Sequence, residues 1–540
     1  MYKHSHILLL LSYISGNIIS QVSCRARHSD KSPYRIVVDG GSTGSRLHIF
    51  EFQKDLTSNT TACTRQGSDR AHIPLSAFAR NDTQIEANEE LNATHVAHHL
   101  IPLFQYAANI IPSQYHARTS VHYQATAGMR LLEEYEQNLI YDALFTGFKE
   151  SPDFVFTNLQ RENIATLGGE EEALYGAVAA NYLKGVVDVK LHMINKDGTV
   201  EDEDVEFDGP LGALDMGGAS MQIVYLPHEE FEEDFNKYDH HVHGDESECE
   251  SLVQHRTKTS KGLKELPNLP NRPNRLNGDE FFSTSYLSYG ADQFRECLWD
   301  NWVEKRELNT NEVFSTKDNI DNPCSFNGYT SEWKGYTFVG TGDAKGCARE
   351  VNRLIPHHKE PTDEFPESRT VGGVEHPPIR GHFFAMSLFY FTLDCLRELS
   401  KHQGLNESWP TPSISDLTQA LDILCSRDWN DDLAQIQDNA HKFTRSSVLP
   451  DRCFESVYMV TLLRDGFGFD LDSRDITFTF LVDGSEVEWS LGMAVSHFAE
   501  DHVHAYSITN GDTNEEEELM TSHNSMNCML NNTPMKFQMT

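Results

Sequence analysis

Two short stretches of the sequence combine the residue types that phosphate chemistry needs. In the first, an apolar run ends at Asp39, and a turn rich in glycine and hydroxyl side chains follows at 40–46. In the second, an apolar run ends at Asp215, and 216–222 follows with a similar composition. Glycine lets a backbone approach a ligand closely, and the N–H groups and hydroxyls of such a turn can cradle a phosphate. An ordinary Gly-rich hairpin would account for one stretch, but the repeated pattern predicts two phosphate loops that share a cleft.

The two aspartates suit a divalent cation. Asp39 and Asp215 each end a predicted strand beside a loop, and carboxylate oxygens are the ligands that Mg²⁺ and Ca²⁺ prefer. The chain carries a net charge of −38, which would repel an anionic substrate unless a cation inverts the local field. We therefore predict that Asp39 and Asp215 hold Mg²⁺ or Ca²⁺, through water molecules.

The elements that must position these loops follow an α/β pattern. Alternating apolar residues predict strands on both sides of each loop. Residues Thr119–Leu132 read as strand, turn and helix, and open α/β sheets bind ligands at such a switch. Other predicted elements are helices over His95–Ile111 and Gly381–Leu399 and strands over Phe154–Phe156 and Ile476–Val482.

Length and composition exclude several classes of protein. A chain of 540 residues is too long for one hydrophobic core, and 39% hydrophobic residues indicate a globular protein. The net charge of −38 argues against nucleic acid or an anionic membrane as a partner. Residues 188–210 and 228–280 read as surface insertions, and 506–540 reads as an acidic disordered tail.

The N-terminus has the features of a secretory signal peptide at 1–23. Lys3 precedes an apolar segment over Ile7–Ile19, which is shorter than the ~20 apolar residues that a membrane span needs. An uncleaved signal anchor is the alternative, and no other stretch is predicted to span a bilayer. Ten cysteines without a C-x-x-C pair and several N-x-S/T sequons fit disulfides and glycosylation in an oxidising compartment. The sequence therefore predicts a secreted or lumenal protein.

Five segments, in order, resemble the conserved regions of the apyrase or nucleoside triphosphate diphosphohydrolase family, which includes ecto-apyrases and Golgi-type nucleoside diphosphatases. They are Asp39–Arg46, Ala125–Leu132, Gly168–Gly176, Leu214–Gln222 and Ser285–Gly290, and Trp489–Gly492 resembles the closing segment. The resemblance implies an α/β fold of two actin-like (ribonuclease H-like) lobes with the active site between them. It implies that lobe I spans 34–168 with a return at 470–505, and that lobe II spans 169–469.

The resemblance also implies the catalytic residues. Glu172 matches the position of the family's catalytic glutamate, which activates water, and Glu171 is the neighbour with which it could be confused. Ser220 and Gln222 match residues that orient the attacking water. The chain departs from the family at Ala173, where the family has glycine.

The same resemblance assigns the remaining site residues. Those expected to bind phosphate are Ser42, Thr43, Gly44, Ser45, Arg46, Thr126, Ala127, Gly217, Gly218 and Ala219. Trp489 matches a tryptophan near the metal waters, with core packing as the alternative, and Arg130 suits either a phosphate clamp or a structural ion pair. The nucleobase candidates, each with core packing as the alternative, are Phe389, Tyr390, Phe391 and Tyr458. Cys425–Cys453 is the one disulfide that the resemblance implies.

The resulting prediction is a nucleotide phosphohydrolase that uses Mg²⁺ or Ca²⁺ and removes terminal phosphates from nucleoside tri- and/or diphosphates. A kinase or exopolyphosphatase of the same superfamily is one alternative. A nucleotide-binding or adhesive surface protein of this fold without catalysis is the other. The sequence leaves open the preference between tri- and diphosphates.

Overall fold

The computed structural model describes residues 31–55, 57, 60–86, 89–194, 210–227, 275–276, 278–309, 319–355, 369–372, 374–436, 441–482 and 484–510. The expected signal peptide, most of both expected insertions and the tail beyond 510 lie outside these residues. None of the helices in the described ranges is long and apolar enough to cross a membrane.

The strands, in chain order, are β1 (Tyr34–Gly41), β2 (Gly44–Lys54), β3 (Thr61–Ala71), β4 (Ser120–Ala125), β5 (Ile164–Thr166), β6 (Gly212–Met216), β7 (Ser220–Tyr225), β8 (Phe282–Leu287), β9 (Ile320–Asn322), β10 (Thr330–Trp333), β11 (Tyr336–Gly340), β12 (Arg369–Val371), β13 (Val374–His376), β14 (Phe383–Ser387), β15 (Ile476–Phe478), β16 (Leu481–Val482) and β17 (Ser485–Glu486).

The α-helices are α1 (Asp82–Glu86), α2 (Ala93–His98), α3 (Ile101–Ile110), α4 (Ser113–His116), α5 (Ala127–Arg130), α6 (Glu134–Glu150), α7 (Gly169–Leu183), α8 (Ala291–Asn309), α9 (Ala344–Leu354), α10 (Leu388–Ser400), α11 (Gln403–Ser408), α12 (Ile414–Cys425), α13 (Arg452–Thr461) and α14 (Trp489–Asn510). A π-helix, Leu462–Phe467, continues α13.

Two five-stranded sheets repeat one topology. The first has the order β3-β2-β1-β4-β5, and the second has the order β8-β7-β6-β14-β15. In each sheet the first three strands in sequence pair antiparallel. The fourth strand pairs in parallel with the central strand, and the fifth pairs in parallel with the fourth. The two Asp-containing turns therefore occupy equivalent positions, after β1 and after β6.

Helices α7 and α14 lie between the two sheets. Their buried residues form one hydrophobic cluster with Val37 and Phe50 of the first sheet and with Ala213 and Val224 of the second. The two helices touch closely because Gly492 has no side chain, and a Cβ there would overlap the backbone of Tyr175. The outer faces of the sheets carry separate clusters, with α2, α3 and α6 on the first sheet and α8, α10, α12 and α13 on the second.

Several predicted elements are wrong in position or type. The strand expected to return to lobe I, Ile476–Phe478, instead pairs with β14 in the second sheet, while α14 contacts α7 and β1. The apolar run at Gly381–Leu399 begins as β14 and becomes helical only at Leu388, because apolar runs of this kind suit a buried strand as well as a helix.

Two further expectations need correction. The helix expected over His95–Ile111 is two helices, α2 and α3. Residues Phe154–Phe156 do not form a strand. The rings of Phe154 and Phe156 instead pack edge-on or tilted around Phe104, so this apolar run is irregular core.

The disulfide Cys425–Cys453 is confirmed, with a Cα–Cα distance of 5.1 Å. A second one, Cys324–Cys347, has a Cα–Cα distance of 4.7 Å and joins the segment after β9 to α9. Cys63 and Cys395 are buried free thiols. Disulfides therefore cross-link the part of the chain that packs on the outer face of the second sheet.

Candidate active site

The two Asp-containing turns face each other. A Cβ added to Gly218 would lie 3.4 Å from the hydroxyl oxygen of Ser42. The gap between the two loops at this point is therefore only as wide as a small side chain. A Cβ added to Gly128, in the turn after β4, would lie 3.0 Å from the Cα of Ser42. Thr43 and Gly217 are exposed at the tips of the two loops. The three turns therefore converge on one accessible cleft.

The first loop requires glycine at its end. Gly44 has a φ of +139°, which L side chains rarely adopt, and a Cβ there would overlap the carbonyl oxygen of Ala71. Only glycine fits this combination of backbone angle and close approach. The hydroxyl of Thr43, the residue before Gly44, accepts a hydrogen bond from Arg70 at 2.7 Å.

The second loop is held on the N-terminus of α8. The N–H of Gly217 donates to the carbonyl oxygen of Ser220 at 2.9 Å and closes the turn. The N–H groups of Ala291 and Asp292 donate to the carbonyl oxygens of Gly217 and Gly218, both at 3.0 Å. The first N–H groups of a helix have no partner within it, so this contact satisfies them and fixes the loop.

Glu172 lies at the centre of a buried hydrogen-bond network. Its Oε2 receives a hydrogen bond from Arg130 and a second one from Nε2 of Gln222 at 3.2 Å. The amide of Gln222 also contacts the hydroxyls of Ser220, at 2.6 Å, and of Ser285, at 3.2 Å. Glu171 points elsewhere, because its carboxylate accepts from the N–H of Gly168 at 3.1 Å.

The register of the second sheet explains this convergence. Asp215 pairs with Gln222 across β6 and β7, and Gln222 pairs with Ser285 across β7 and β8. Residues directly opposite each other on neighbouring strands project to the same face. That face carries α7, and Glu172 lies in its first turn, so the carboxylate lies over this row of polar side chains.

Three carboxylates share the cleft, and burial raises the pKa of each of them. Burial raises the pKa of Glu172 to about 7, with a further increase from the charge of Asp215 and a decrease from Arg130. Burial, followed by the charges of Glu172 and Asp215, raises the pKa of Asp39 to about 7. Burial also raises the pKa of Asp215, against a hydrogen bond from Ser387. Perturbed carboxylates that cluster in a cleft mark a functional site.

Two of the expected phosphate ligands have their side chains engaged elsewhere. The hydroxyl of Ser45 is buried and lies 2.7 Å from the hydroxyl of Tyr123. The guanidinium of Arg46 bonds Glu488 at 2.7 Å and Glu486 at 2.9 Å. Arg46 lies directly opposite Asp39 across β1 and β2, but these two glutamates engage its guanidinium, a contact between distant segments that a loop pattern does not encode. The expectation that these two side chains bind phosphate is therefore not supported.

The third turn supports the first loop. Thr126 is buried, and its N–H donates to the carbonyl oxygen of Gly40 at 3.0 Å. Ala127 is buried next to it and begins α5, which ends at Arg130. Trp489 is buried in the hydrophobic cluster between the sheets. This position agrees with core packing, which was the alternative to a place near the metal waters.

The nucleobase candidates separate into two pairs. Phe389 and Tyr458 are fully buried, and the hydroxyl of Tyr458 donates to the carbonyl oxygen of Tyr289 at 2.6 Å. Both are core residues, so the expectation that they stack on a base is wrong. Tyr390 and Phe391 are half-buried and lie among the rings of Trp409, Phe443 and Phe480.

Among the described residues, one group of three metal-ligating side chains comes close enough to share an ion: Asp394, Glu398 and His441. Arg397 already bonds both carboxylates, at 2.6 Å to Asp394 and 3.0 Å to Glu398. Nε2 of His441 lies 3.2 Å from the other oxygen of Asp394. The group is therefore an ion-pair network between α10 and His441.

The sequence reasoning missed two hydroxyls. Ser285 lies within a segment that carries the family resemblance, but no role was derived for it. Ser387 hydrogen-bonds Asp215 and has a φ of +53°, an uncommon conformation for a residue other than glycine. A serine inside an otherwise apolar run was the available signal, and the incorrect helix expected over Gly381–Leu399 concealed it.

Comparison with known proteins identifies the family. A family model described as "GDA1/CD39 (nucleoside phosphatase) family" matches residues 25–254 and 259–517. The chain belongs to this family. The Golgi apyrase of Saccharomyces cerevisiae is 26% identical over 488 residues, which cover 85% of this chain and 69% of the yeast protein. Ectonucleoside triphosphate diphosphohydrolase 1 of Bos taurus is 26% identical over 486 residues, which cover 85% of this chain and 80% of the bovine protein.

A solved structure supports the fold. The crystal structure of nucleoside triphosphate hydrolases from Neospora caninum superposes with a TM-score of 0.54 at 16% sequence identity, and the match covers 91% of this chain and 97% of that one. This likeness confirms the predicted fold of two actin-like lobes. Membership of the GDA1/CD39 family makes the protein a nucleoside phosphatase, as the ordered motifs predicted.

Proposed function

We propose that this GDA1/CD39 family member hydrolyses the terminal phosphoanhydride bonds of nucleoside tri- and diphosphates, with a divalent cation at Asp39 and Asp215 and with Glu172 as the general base. Water is consumed, and inorganic phosphate and the shortened nucleotide are released. The observation that carries the proposal is the cluster of three carboxylates with raised pKa values, Asp39, Asp215 and Glu172, at a cleft between two facing Gly-rich loops.

The residues fit a divalent cation. Oδ1 of Asp39 is shielded from solvent and has no hydrogen-bond partner, and burial, followed by two neighbouring carboxylates, raises the pKa of this carboxyl. A buried acceptor without a hydrogen-bond partner lowers the stability of the fold. Carboxylate oxygens of this kind are ligands for hard cations such as Mg²⁺ and Ca²⁺. Asp39 and Asp215 belong to no group of three ligands in contact among the described residues, so water would complete the shell of Mg²⁺ or Ca²⁺. A bound cation would neutralise charge on the phosphate oxygens.

Residues of the chain supply the phosphate site, the general base and the groups that orient the attacking water. The loop residues that border the space for the phosphates are the exposed Thr43 and Gly217, the half-buried Ser42 and Gly218, and the buried Ala219. A carboxylate whose pKa is near 7 can accept a proton from water at neutral pH, which is the requirement for a general base. Ser220 and Gln222 are within hydrogen-bond distance of each other beside Glu172, and we assign them to the orientation of the attacking water.

Localisation and lobe boundaries are part of the same proposal. The relatives named Golgi apyrase and ectonucleoside triphosphate diphosphohydrolase and the two disulfides support a place in the secretory pathway or outside the cell. We assign 34–168 to lobe I and 169–469 to lobe II, with β15 moved to lobe II and α14 bridging both.

A substrate panel tests the function. Phosphate release is measured from ATP, ADP, GDP and UDP with purified protein in Mg²⁺ or Ca²⁺, without a phosphate acceptor, so that a kinase would score negative. Glu172→Gln should lower kcat about 10²–10⁴-fold, while Glu171→Gln, on the neighbouring carboxylate, should retain most activity. Full activity of the Glu172 variant would refute its role as the base, and loss only in the Glu171 variant would move that role by one residue.

A further inference from the structure

We propose that Ser285 is a positioning residue, which holds Arg130 and Gln222 in place around Glu172. The inference rests on the proposed function of Glu172 as the base. Ser285 lies on β8 with 3% of its surface exposed, and its hydroxyl contacts neither the two facing loops nor Glu172 itself. It acts only through the two side chains that touch the carboxylate.

The contacts define this role. Oγ of Ser285 accepts a hydrogen bond from Nη1 of Arg130 at 3.1 Å and one from Nε2 of Gln222 at 3.2 Å. Nη2 of Arg130 and Nε2 of Gln222 in turn both donate to Oε2 of Glu172. The four side chains thus form a closed ring in which one hydroxyl fixes the distance between the two donors of the carboxylate.

The ring joins elements that are distant in sequence. Arg130 ends α5, the short helix that follows β4 of the first sheet, whereas Gln222 and Ser285 are direct neighbours on β7 and β8 of the second sheet. The guanidinium of Arg130 therefore forms hydrogen bonds to two residues beyond the first sheet. Nη1 donates to Ser285, and Nη2 donates to Glu172.

The hydroxyl matters most for Arg130. Its Nε is buried and has no hydrogen-bond partner, so the guanidinium depends on Glu172 and Ser285 for its orientation. A buried donor left without a partner costs free energy. Without Oγ, Nη1 loses its acceptor, and the guanidinium is expected to rotate about its contact with Glu172.

The surroundings limit what else position 285 can do. A Cβ added to Gly169, the first residue of α7, would overlap the side chain of Ser285 and lie 2.9 Å from Nη1 of Arg130. The site therefore accommodates a small side chain only. Alanine removes the hydroxyl without adding volume, so Ser285→Ala is a clean probe.

The matched control is Ser283→Ala. Ser283 lies on the same strand and the same face, is buried to a similar degree, and donates to the carbonyl oxygen of Glu170 at 2.8 Å. It therefore contacts the same helix start but neither Arg130 nor Gln222. A loss of activity from general damage to β8 would appear in both variants.

The experiment measures kcat and KM for the best nucleotide of the panel, with melting temperatures for every variant. Ser285→Ala should lower kcat ~10–100-fold and change KM less than threefold, since general-base catalysis contributes about 10²–10⁴-fold and a misplaced donor removes only part of it. Ser285→Cys, which keeps a side chain but offers only a weak acceptor, should lower kcat in the same direction. Ser283→Ala should stay within twofold of wild type.

A double variant separates positioning from packing. If Ser285 acts through Arg130, Ser285→Ala should lower kcat less than threefold further in an Arg130→Gln background, because coupled residues are not additive. Wild-type kcat for Ser285→Ala, or an equal fold loss with and without Arg130, would overturn the inference. Absence of phosphate release from wild type and from Ser283→Ala alike would overturn the proposed function and this inference with it.

Discussion

Arg130 and Gln222 donate to the same oxygen of Glu172, Oε2, although Arg130 belongs to the helix after β4 and Gln222 to the second sheet. The guanidinium opposes the effect of burial on this carboxyl, because burial and Asp215 raise its pKa and Arg130 lowers it. The balance leaves a carboxylate that titrates near neutral pH and joins the two halves of the cleft.

The first prediction concerns the pH dependence of activity. Because the pKa of Glu172 is raised to about 7, kcat/KM should fall about tenfold per pH unit below that value, as a general base loses activity when protonated. Arg130→Gln removes the cation that lowers this pKa, so the acid limb should move to higher pH. Arg130→Lys keeps the charge and should leave the limb near its wild-type position. Initial rates between pH 5 and 9 check the prediction, and an unmoved limb in Arg130→Gln would contradict it.

The second prediction concerns the gap between the loops. A Cβ at Gly218 would lie 2.7 Å from Oδ2 of Asp292 and 3.4 Å from the hydroxyl of Ser42, so Gly218→Ala would narrow the space proposed for phosphate. We expect KM to rise about tenfold, equivalent to ~1.4 kcal/mol of lost binding.

Gly217→Ala provides the comparison within the same loop. Its Cβ would meet nothing nearer than the carbonyl oxygen of Ser220, at 3.7 Å, so its rise in KM should be clearly smaller. KM values from steady-state kinetics decide between the two, and equal effects would show that the gap at Gly218 does not limit binding.

The sequence predicted the loops better than the elements around them. Asp39 and Asp215 could be recognised because each is followed by the same local pattern of glycine and hydroxyl residues. The repeated pattern also agrees with the equivalent positions of β1 and β6 in their sheets. Glu172 required the family resemblance, since three glutamates in a first helical turn also suit the helix dipole.

The errors arose where tertiary packing decides the outcome. Arg46 sits beside the first loop in sequence, but its side chain bonds Glu486 and Glu488 some 440 residues later. Tyr458 lies in an amphipathic helix, and only the packed structure shows that its ring stacks on Phe294 in the core. Ser285 acquires its contacts from strand register and from a helix of the other sheet, neither of which a local pattern encodes.

The third prediction concerns the divalent cation. A chelator should abolish phosphate release, and Mg²⁺ or Ca²⁺ should restore it. A cation that binds only the folded protein also raises the melting temperature by mass action. That increase should appear in wild type and shrink in Asp39→Asn, which removes the carboxylate whose Oδ1 has no hydrogen-bond partner. Calorimetry with and without metal measures it independently of catalysis, and an equal increase in both proteins would contradict the assignment of Asp39.

The last prediction concerns stability and a carboxylate pair beside Arg46. Burial, with the neighbouring Glu486, raises the pKa of Glu488 from 4.5 to about 8, while hydrogen bonds and the charges of Arg65 and Arg46 hold the pKa of Glu486 well below its usual range. A pKa raised in the folded state contributes stability that is present below the unfolded value and lost as the pH rises toward the folded one. The free energy of unfolding should therefore fall by roughly 1.4 kcal/mol per pH unit in that window.

The interval between pH 7 and 8 suits Glu488, because its pKa of about 8 keeps it mostly protonated at pH 7, whereas Asp39 and Glu172, with pKa values of about 7, are already about half ionised there. Wild-type protein should lose stability across this interval in denaturant titrations, and Glu488→Gln, which removes the ionising group at this position, should lose clearly less. Glu486→Gln removes the other carboxylate of the pair. It should lower the pKa of Glu488, since Glu486 is one of the causes that raise it. A slope in Glu488→Gln equal to that of wild type would show that the proton is held elsewhere.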